Sequence, residues 1–147
     1  MQLENRTNLP ISLGDLLDRE YWTVEAGKDL KIPVKPVSLE GWKVLIRWKN
    51  GKQPFSGFCN PSKKLILIAI NPKNTYPFTQ KFAVGTEQAD PSAFYYTHQT
   101  ITFNNAKELI RFIFLHEFSH LLDHFQGFSL RMKQTKANRF ALANWKR

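Results

Sequence analysis

His116-Glu117-Phe118-Ser119-His120 places two imidazoles and a carboxylate in a His-Glu-x-x-His pattern. On a helix, residues four apart lie one turn above each other on one face, so His116 and His120 can share one metal ion. Glu117 is rotated about 100° from His116, beside that stripe, where it can take a proton from a water on the ion. Zn2+ suits imidazole nitrogen and lowers the pKa of a coordinated water toward ~7, so the chemistry expected is hydrolysis at a polarised carbonyl. His116 and His120 are the expected ligands, and Glu117 the catalytic base.

A catalytic zinc usually takes three protein ligands plus water, so one more is required. His124 lies eight residues from His116, about 12 Å along a straight helix, too far to converge on the same ion. Asp123 is better suited to orient a histidine ring or hold neighbouring backbone. Cys59, the single cysteine, stays open as a ligand, with a thiol filling a core gap as the alternative. Opposite Glu117 a group should stabilise the oxyanion, and Tyr95, Tyr96 and His98 are the candidates, against plain aromatic packing for the tyrosines.

The elements around the motif must hold it rigidly. Asn105 followed by Glu108 predicts a capped helix start, and Gly127 its C-terminal stop. Between them Leu109, Ile110, Phe112, Ile113, Phe114, Leu115, Phe118, Leu121, Leu122 and Phe125 leave almost no polar face, the pattern of a central buried helix. Two histidines and a glutamate inside such a helix need partners, and a metal supplies them.

Upstream, Ser12 and Asp15 predict a capped helix over 13–20, and the prolines of Lys31–Pro36 an extended strap. Val44, Ile46 and Trp48 alternate with Lys43, Arg47 and Lys49, and Asn50-Gly51 reads as a two-residue hairpin turn into a return strand over 53–58. Pro54 makes that strand an edge or a short one. Residues 65–70, apolar on both sides, read as a central strand. Residues 76–84 are weakly strand-like, 85–92 are expected to be a loop that could flap over a cleft, and 94–103 alternate as a strand. The resulting expectation is one α+β domain over 1–147, zincin-like, with an antiparallel or mixed sheet packed on the buried motif helix and a final helix after it.

The composition is that of a soluble globular chain, with no apolar run near the ~20 residues that span a bilayer, so no membrane partner is expected. No signal-peptide pattern opens the chain, and a lone cysteine fits a reducing compartment, so a cytoplasmic location is expected. The formal charge of +9 favours acidic partners, nucleic acid or a protein bound to it. The densest basic group is Arg131, Lys133, Lys136, Arg139, Lys146 and Arg147, which reads equally as a solvated helix face.

His116-Glu117-Phe118-Ser119-His120-Leu121-Leu122-Asp123, followed by Lys136-Ala137-Asn138-Arg139-Phe140-Ala141, resembles the ImmA/IrrE-type family of compact gluzincin peptidases. The resemblance covers roughly the last third of the chain. It implies a cytosolic zinc-dependent enzyme acting on protein substrates, often DNA-bound regulators. It also implies a third ligand three residues before the Ala-Asn pair, commonly acidic; here that position is Gln134, since no acidic residue follows Asp123.

The expected function is therefore a zinc endopeptidase cleaving a protein substrate, which would lie extended along a sheet edge. A SprT-like protease acting on DNA-associated proteins, and a peptidase-fold binding module without catalysis, are the alternatives.

Overall fold

The computed structural model describes residues 1–19, 21–23, 31–33, 38–125 and 134–146. In chain order its elements are β1 (Gln2–Asn5), α1 (Leu13–Leu16), β2 (Tyr21–Thr23), β3 (Lys31–Pro33), β4 (Lys43–Trp48), β5 (Phe55–Asn60), a 3-10 turn (Pro61–Lys63), β6 (Leu65–Ile70), β7 (Phe78–Asp90), β8 (Ala93–Phe103), α2 (Ala106–Phe125) and α3 (Gln134–Asn144). The class is α+β with a mixed main sheet, and no helix among the described residues is long and apolar enough to cross a membrane. The expected helix stop at Gly127, the rest of the strap beyond Pro33, and Arg131, Lys133 and Arg147 lie outside the described residues.

The main sheet runs β1-β4-β6-β5, with β1 and β6 parallel to β4 and β5 antiparallel to β6. This corrects the hairpin expected at Asn50-Gly51. Gly51 does turn the chain at φ +98°, but β4 and β5 flank β6 instead of pairing with each other. The reason is burial. β6 carries Ile66, Ile68 and Ile70, all essentially inaccessible, and a strand apolar on both sides is most stable with a neighbour on each edge. The Pro54-led strand takes the edge, one of the two placements its proline allows. Asn71 holds the connection by donating from Nδ2 to the carbonyls of Gly51 (2.8 Å) and Gln53 (3.2 Å).

Two further expectations change. The helix predicted over 13–20 is α1 alone, its start fixed by the reciprocal Ser12–Asp15 capping box and its end at Leu17. Residues 85–92 form no flap loop. β7 and β8 make one long antiparallel hairpin that turns only at Pro91-Ser92, with irregularities between Ala83 and Gly85 and between Gln88 and Asp90. Continuous pairing satisfies backbone groups that a loop would leave to water.

α2 is as buried as its composition predicts, with Leu109, Ile110, Phe114, Leu115, Phe118 and Leu121 fully inaccessible. The Asn105 side chain accepts the Glu108 N–H (2.9 Å), while Glu108 Oε2 accepts from Asn104 N (2.8 Å), one residue earlier than the usual box. One face of α2 packs on β5 and β6, and another meets α3. The α3 end is secured by buried Arg111, which donates to the carbonyls of Trp145 (2.8 Å), Asn144 (3.0 Å) and Asp15 (2.8 Å) and pairs with Asp18 (3.1 Å). One guanidinium thus satisfies carbonyls at the end of α3 that the helix itself cannot, and ties α1 and α3 to α2. With that end pinned, the start of α3 lies against the motif.

Candidate metal centre

α2 brings His116, Glu117 and His120 together as the spacing predicts, their ligand atoms all within 4.8 Å of one another. The two Nε2 atoms are 3.3 Å apart, with the rings nearly perpendicular at 82°. Two nitrogens each ~2.0–2.1 Å from one tetrahedral zinc would stand about 3.3 Å apart, so this pair is spaced as such an ion requires. From α3, Gln134 points its Oε1 at His116 Nε2 (2.5 Å), the position implied for the third ligand. Glu117 Oε1 lies 3.8 Å from the same nitrogen.

A hydrogen-bond chain decides which His116 nitrogen is available to an ion. Asn138 Nδ2 donates to the Ala83 carbonyl (2.8 Å), which leaves Asn138 Oδ1 to face His116 Nδ1 (2.7 Å). An amide oxygen only accepts, so Nδ1 carries the proton. Burial holds the His116 pKa below its ordinary value, so the ring is neutral and Nε2 presents a lone pair. That lone pair faces Gln134 Oε1, another acceptor, with the second imidazole and the Glu117 carboxyl alongside. Once the Glu117 carboxyl is ionised these groups are all acceptors, which repel one another unless a cation or proton stands among them. Two imidazole nitrogens and an amide oxygen are a donor set that fits zinc, though Gln134 carries no charge.

The electrostatics follow from enclosure. Burial raises the Glu117 pKa from 4.5 to about 8, and its Oε2 is buried with no hydrogen-bond partner. His120 is lowered from 6.5 to about 4, chiefly by burial and then by His116. β5 comes very close here. A Cβ added at Gly57 would sit 2.7 Å from Ile113 Cγ2 and 3.3 Å from Glu117 Cγ, so glycine is what lets the strand lie on the motif helix. Beside these groups opens a cleft of about 450 Å³, walled by Phe55 and Phe58 of β5, residues 80–83 of β7, and Phe112 and Ile113 of α2.

Other expected residues are elsewhere. Cys59 does not join the ligand group; it is a buried thiol on β5, pushed up to about 12 by burial and then by Glu117. Tyr95, Tyr96 and His98 lie on β8 and none lines the cleft, so the oxyanion assignments are corrected; Tyr95 instead donates to Glu87 Oε2 (2.5 Å). Asp123 pairs with Lys136 (2.8 Å) and joins α2 to α3 rather than orienting a ring, and exposed His124 lies against Phe125. Among the C-terminal cations, Arg139 donates to the Val84 carbonyl (2.7 Å) and Lys146 sits over the Trp145 ring. Each of these two contacts is made within the fold itself.

Asn138 and Gly57 are the residues whose roles the sequence reading missed. A signal existed for the first, because Asn138 follows Gln134 by four and so shares its helix face. For Gly57 there was only a glycine inside a strand pattern.

The chain matches no protein-family model, no curated protein and no solved structure.

Proposed function

We propose that this protein is a zinc-dependent endopeptidase of the His-Glu-x-x-His type, zincin-like in fold, hydrolysing a peptide bond in a protein substrate. The observation that carries the reading is the His116 Nε2 lone pair, aimed by Asn138 into a group of further acceptors. His116, His120 and Gln134 would hold the ion. Zinc bound there supplies Lewis acidity that polarises a carbonyl and acidifies a water. The chain's own contribution is Glu117, whose unpartnered Oε2 is free to accept a proton from the attacking water and return it to the leaving amine. Its raised pKa in the metal-free protein marks a carboxyl whose protonation state responds to nearby charge at neutral pH.

The cleft lies between β5 and β7, each paired on one side only among the described strands. A substrate in extended conformation can use the backbone groups of these edges other than the Ala83 and Val84 carbonyls, which Asn138 and Arg139 take, while Phe55, Phe58 and Phe82 receive its apolar side chains. The ImmA/IrrE-type likeness, a reducing cytoplasmic setting and a DNA-associated substrate, whether a regulator or an adduct as in the SprT-like reading, belong to the same proposal. The +9 charge is compatible with each.

A second reading is favoured by one observation, the neutral Gln134 where a carboxylate would bind zinc more tightly. It is a binding module that holds an extended peptide in the cleft without cutting it. Metal content and cleavage of labelled casein, before and after zinc repletion, separate the two. The enzyme takes up about one zinc per chain, and Glu117→Gln lowers cleavage by about 10²–10⁴-fold with zinc and fold retained. Zinc uptake without cleavage, or cleavage untouched by Glu117→Gln, defeats the peptidase reading.

A further inference from the structure

The β7–β8 hairpin carries a second surface, whose β8 residues do not line the cleft and which meets the cleft rim at Lys81 and Ala83. Cross-strand partners share a face, so the register sorts its side chains. Phe78, Phe82, Ile101 and Phe103 point to the body of the protein, joining Phe112 and Trp145 in one aromatic cluster. The opposite face presents Phe94, Tyr96 and His98 in succession, and then Lys81, the partner of Thr100. Phe94 is 68% exposed and Tyr96 62%. Among the described residues of the hairpin, no carboxylate lies on this face. Glu87 points the other way with its partner Tyr95, and Asp90 is held in the turn by Ser92.

We propose that this outer face is a stacking platform for single-stranded nucleic acid, bases lying on Phe94, Tyr96 and His98 and a phosphate meeting Lys81. Aromatic faces accept any base, and successive ladder rungs stand about 6.8 Å apart along a strand. That is roughly twice the ~3.4 Å rise per nucleotide of a duplex strand, so bases must be unstacked to meet successive rungs, which paired DNA does not allow. The charge argues for this occupant over a second copy. A chain at +9 attracts a polyanion and repels its like, and the face has no carboxylate to offset its lysine in a self-contact. Phe94, Tyr96 and His98 do not line the cleft, and only Lys81 stands at its rim, so binding on the aromatic face is tested without reference to hydrolysis.

The test is fluorescence anisotropy of the full-length protein with a fluorescein-labelled 20-nucleotide oligo(dT) and with a duplex of equal length, across a salt series. The wild type binds the single strand more tightly than the duplex. Phe94→Ala combined with Tyr96→Ala weakens single-strand binding about tenfold or more, while Tyr96→Trp keeps it. Lys81→Ala lowers the salt dependence by about one phosphate contact. Both aromatics are exposed, so thermal melting of the double variant should match the wild type. Equal binding by the double variant, or equal affinity for duplex, overturns the proposal. So does a wild-type dimer in sedimentation that the double variant dissolves, with no oligonucleotide bound, because the ladder is then a self-contact.

Discussion

Replacing Asn138 by leucine, of similar size but without hydrogen-bonding atoms, tests the reasoning about the metal centre most directly. The substitution removes two bonds, Nδ2 to the Ala83 carbonyl (2.8 Å) and Oδ1 to His116 Nδ1 (2.7 Å). A buried polar group left unpaired costs about 1–3 kcal/mol. Both bonds are only part-buried, so we expect a combined loss of about 2–3 kcal/mol, or a Tm lower by about 4–12 °C. The functional consequence is separate. Without the acceptor on Nδ1, the neutral ring is free to carry its proton on Nε2 and donate it to Gln134 Oε1, which removes the lone pair from the metal position. Zinc affinity, read by competition with a chromogenic chelator, should fall about 10–100-fold. Asn138→Asp keeps an acceptor on Nδ1 while losing the donor to Ala83, so it should lose stability but hold zinc within a few-fold of the wild type. If Asn138→Leu binds zinc as tightly as the wild type while melting lower, the tautomer argument is wrong and Asn138 is merely structural.

Three more outcomes follow from the same geometry. Gln134→Glu places a negative charge beside the ligand nitrogens and should raise zinc affinity about tenfold or more in the same competition assay; an unchanged affinity would remove Gln134 from the ligand set. Gly57→Ala drives a methyl to 2.7 Å from Ile113 Cγ2, and urea unfolding should show a loss of about 1–3 kcal/mol, with no loss meaning that β5 can lift from α2. In metal-free protein, the Glu117 carboxyl at about 8 keeps a proton that the unfolded chain releases near 4.5, so its contribution is full below pH 4.5 and lost as pH rises to 8. His120, at about 4 against 6.5, acts oppositely, adding stability as pH rises from 4 to 6.5, and His116 shifts the same way. Above pH 6.5 the histidines' unfolded-state titration is finishing and only partly offsets the glutamate, so stability should fall by about 1 kcal/mol between pH 6.5 and 8 in denaturant titrations; a rise across that window would contradict the burial argument.

Local periodicity was legible in the sequence wherever one residue's environment depends on neighbours a turn or a pleat away. The α2 span, its all-round apolar surface and the convergence of His116, Glu117 and His120 are of this kind, because helical spacing alone sets them. The edge position of β5, just after Pro54, agrees with one of the two placements that proline allowed. The 85–92 segment was misread because its polar, turn-rich composition hid a strand whose pairing partner, around Tyr95 and Tyr96, lies on the next segment.

What the sequence by itself determined is the donor set and its helix: two imidazoles and a carboxyl on one turn, inside an element too apolar to stand in water. Only the tertiary structure decided which further groups gather around His116. Strand order placed β6 between β4 and β5, the approach of Gly57 closed β5 over Glu117, and the Arg111 anchor set α3 where Gln134 and Asn138 reach His116. The reason is one of distance along the chain. Spacing predicts contacts within a helical turn or a strand, whereas Asn138 meets His116 across 22 residues and Ala83 across 55, and such meetings depend on how the whole core packs.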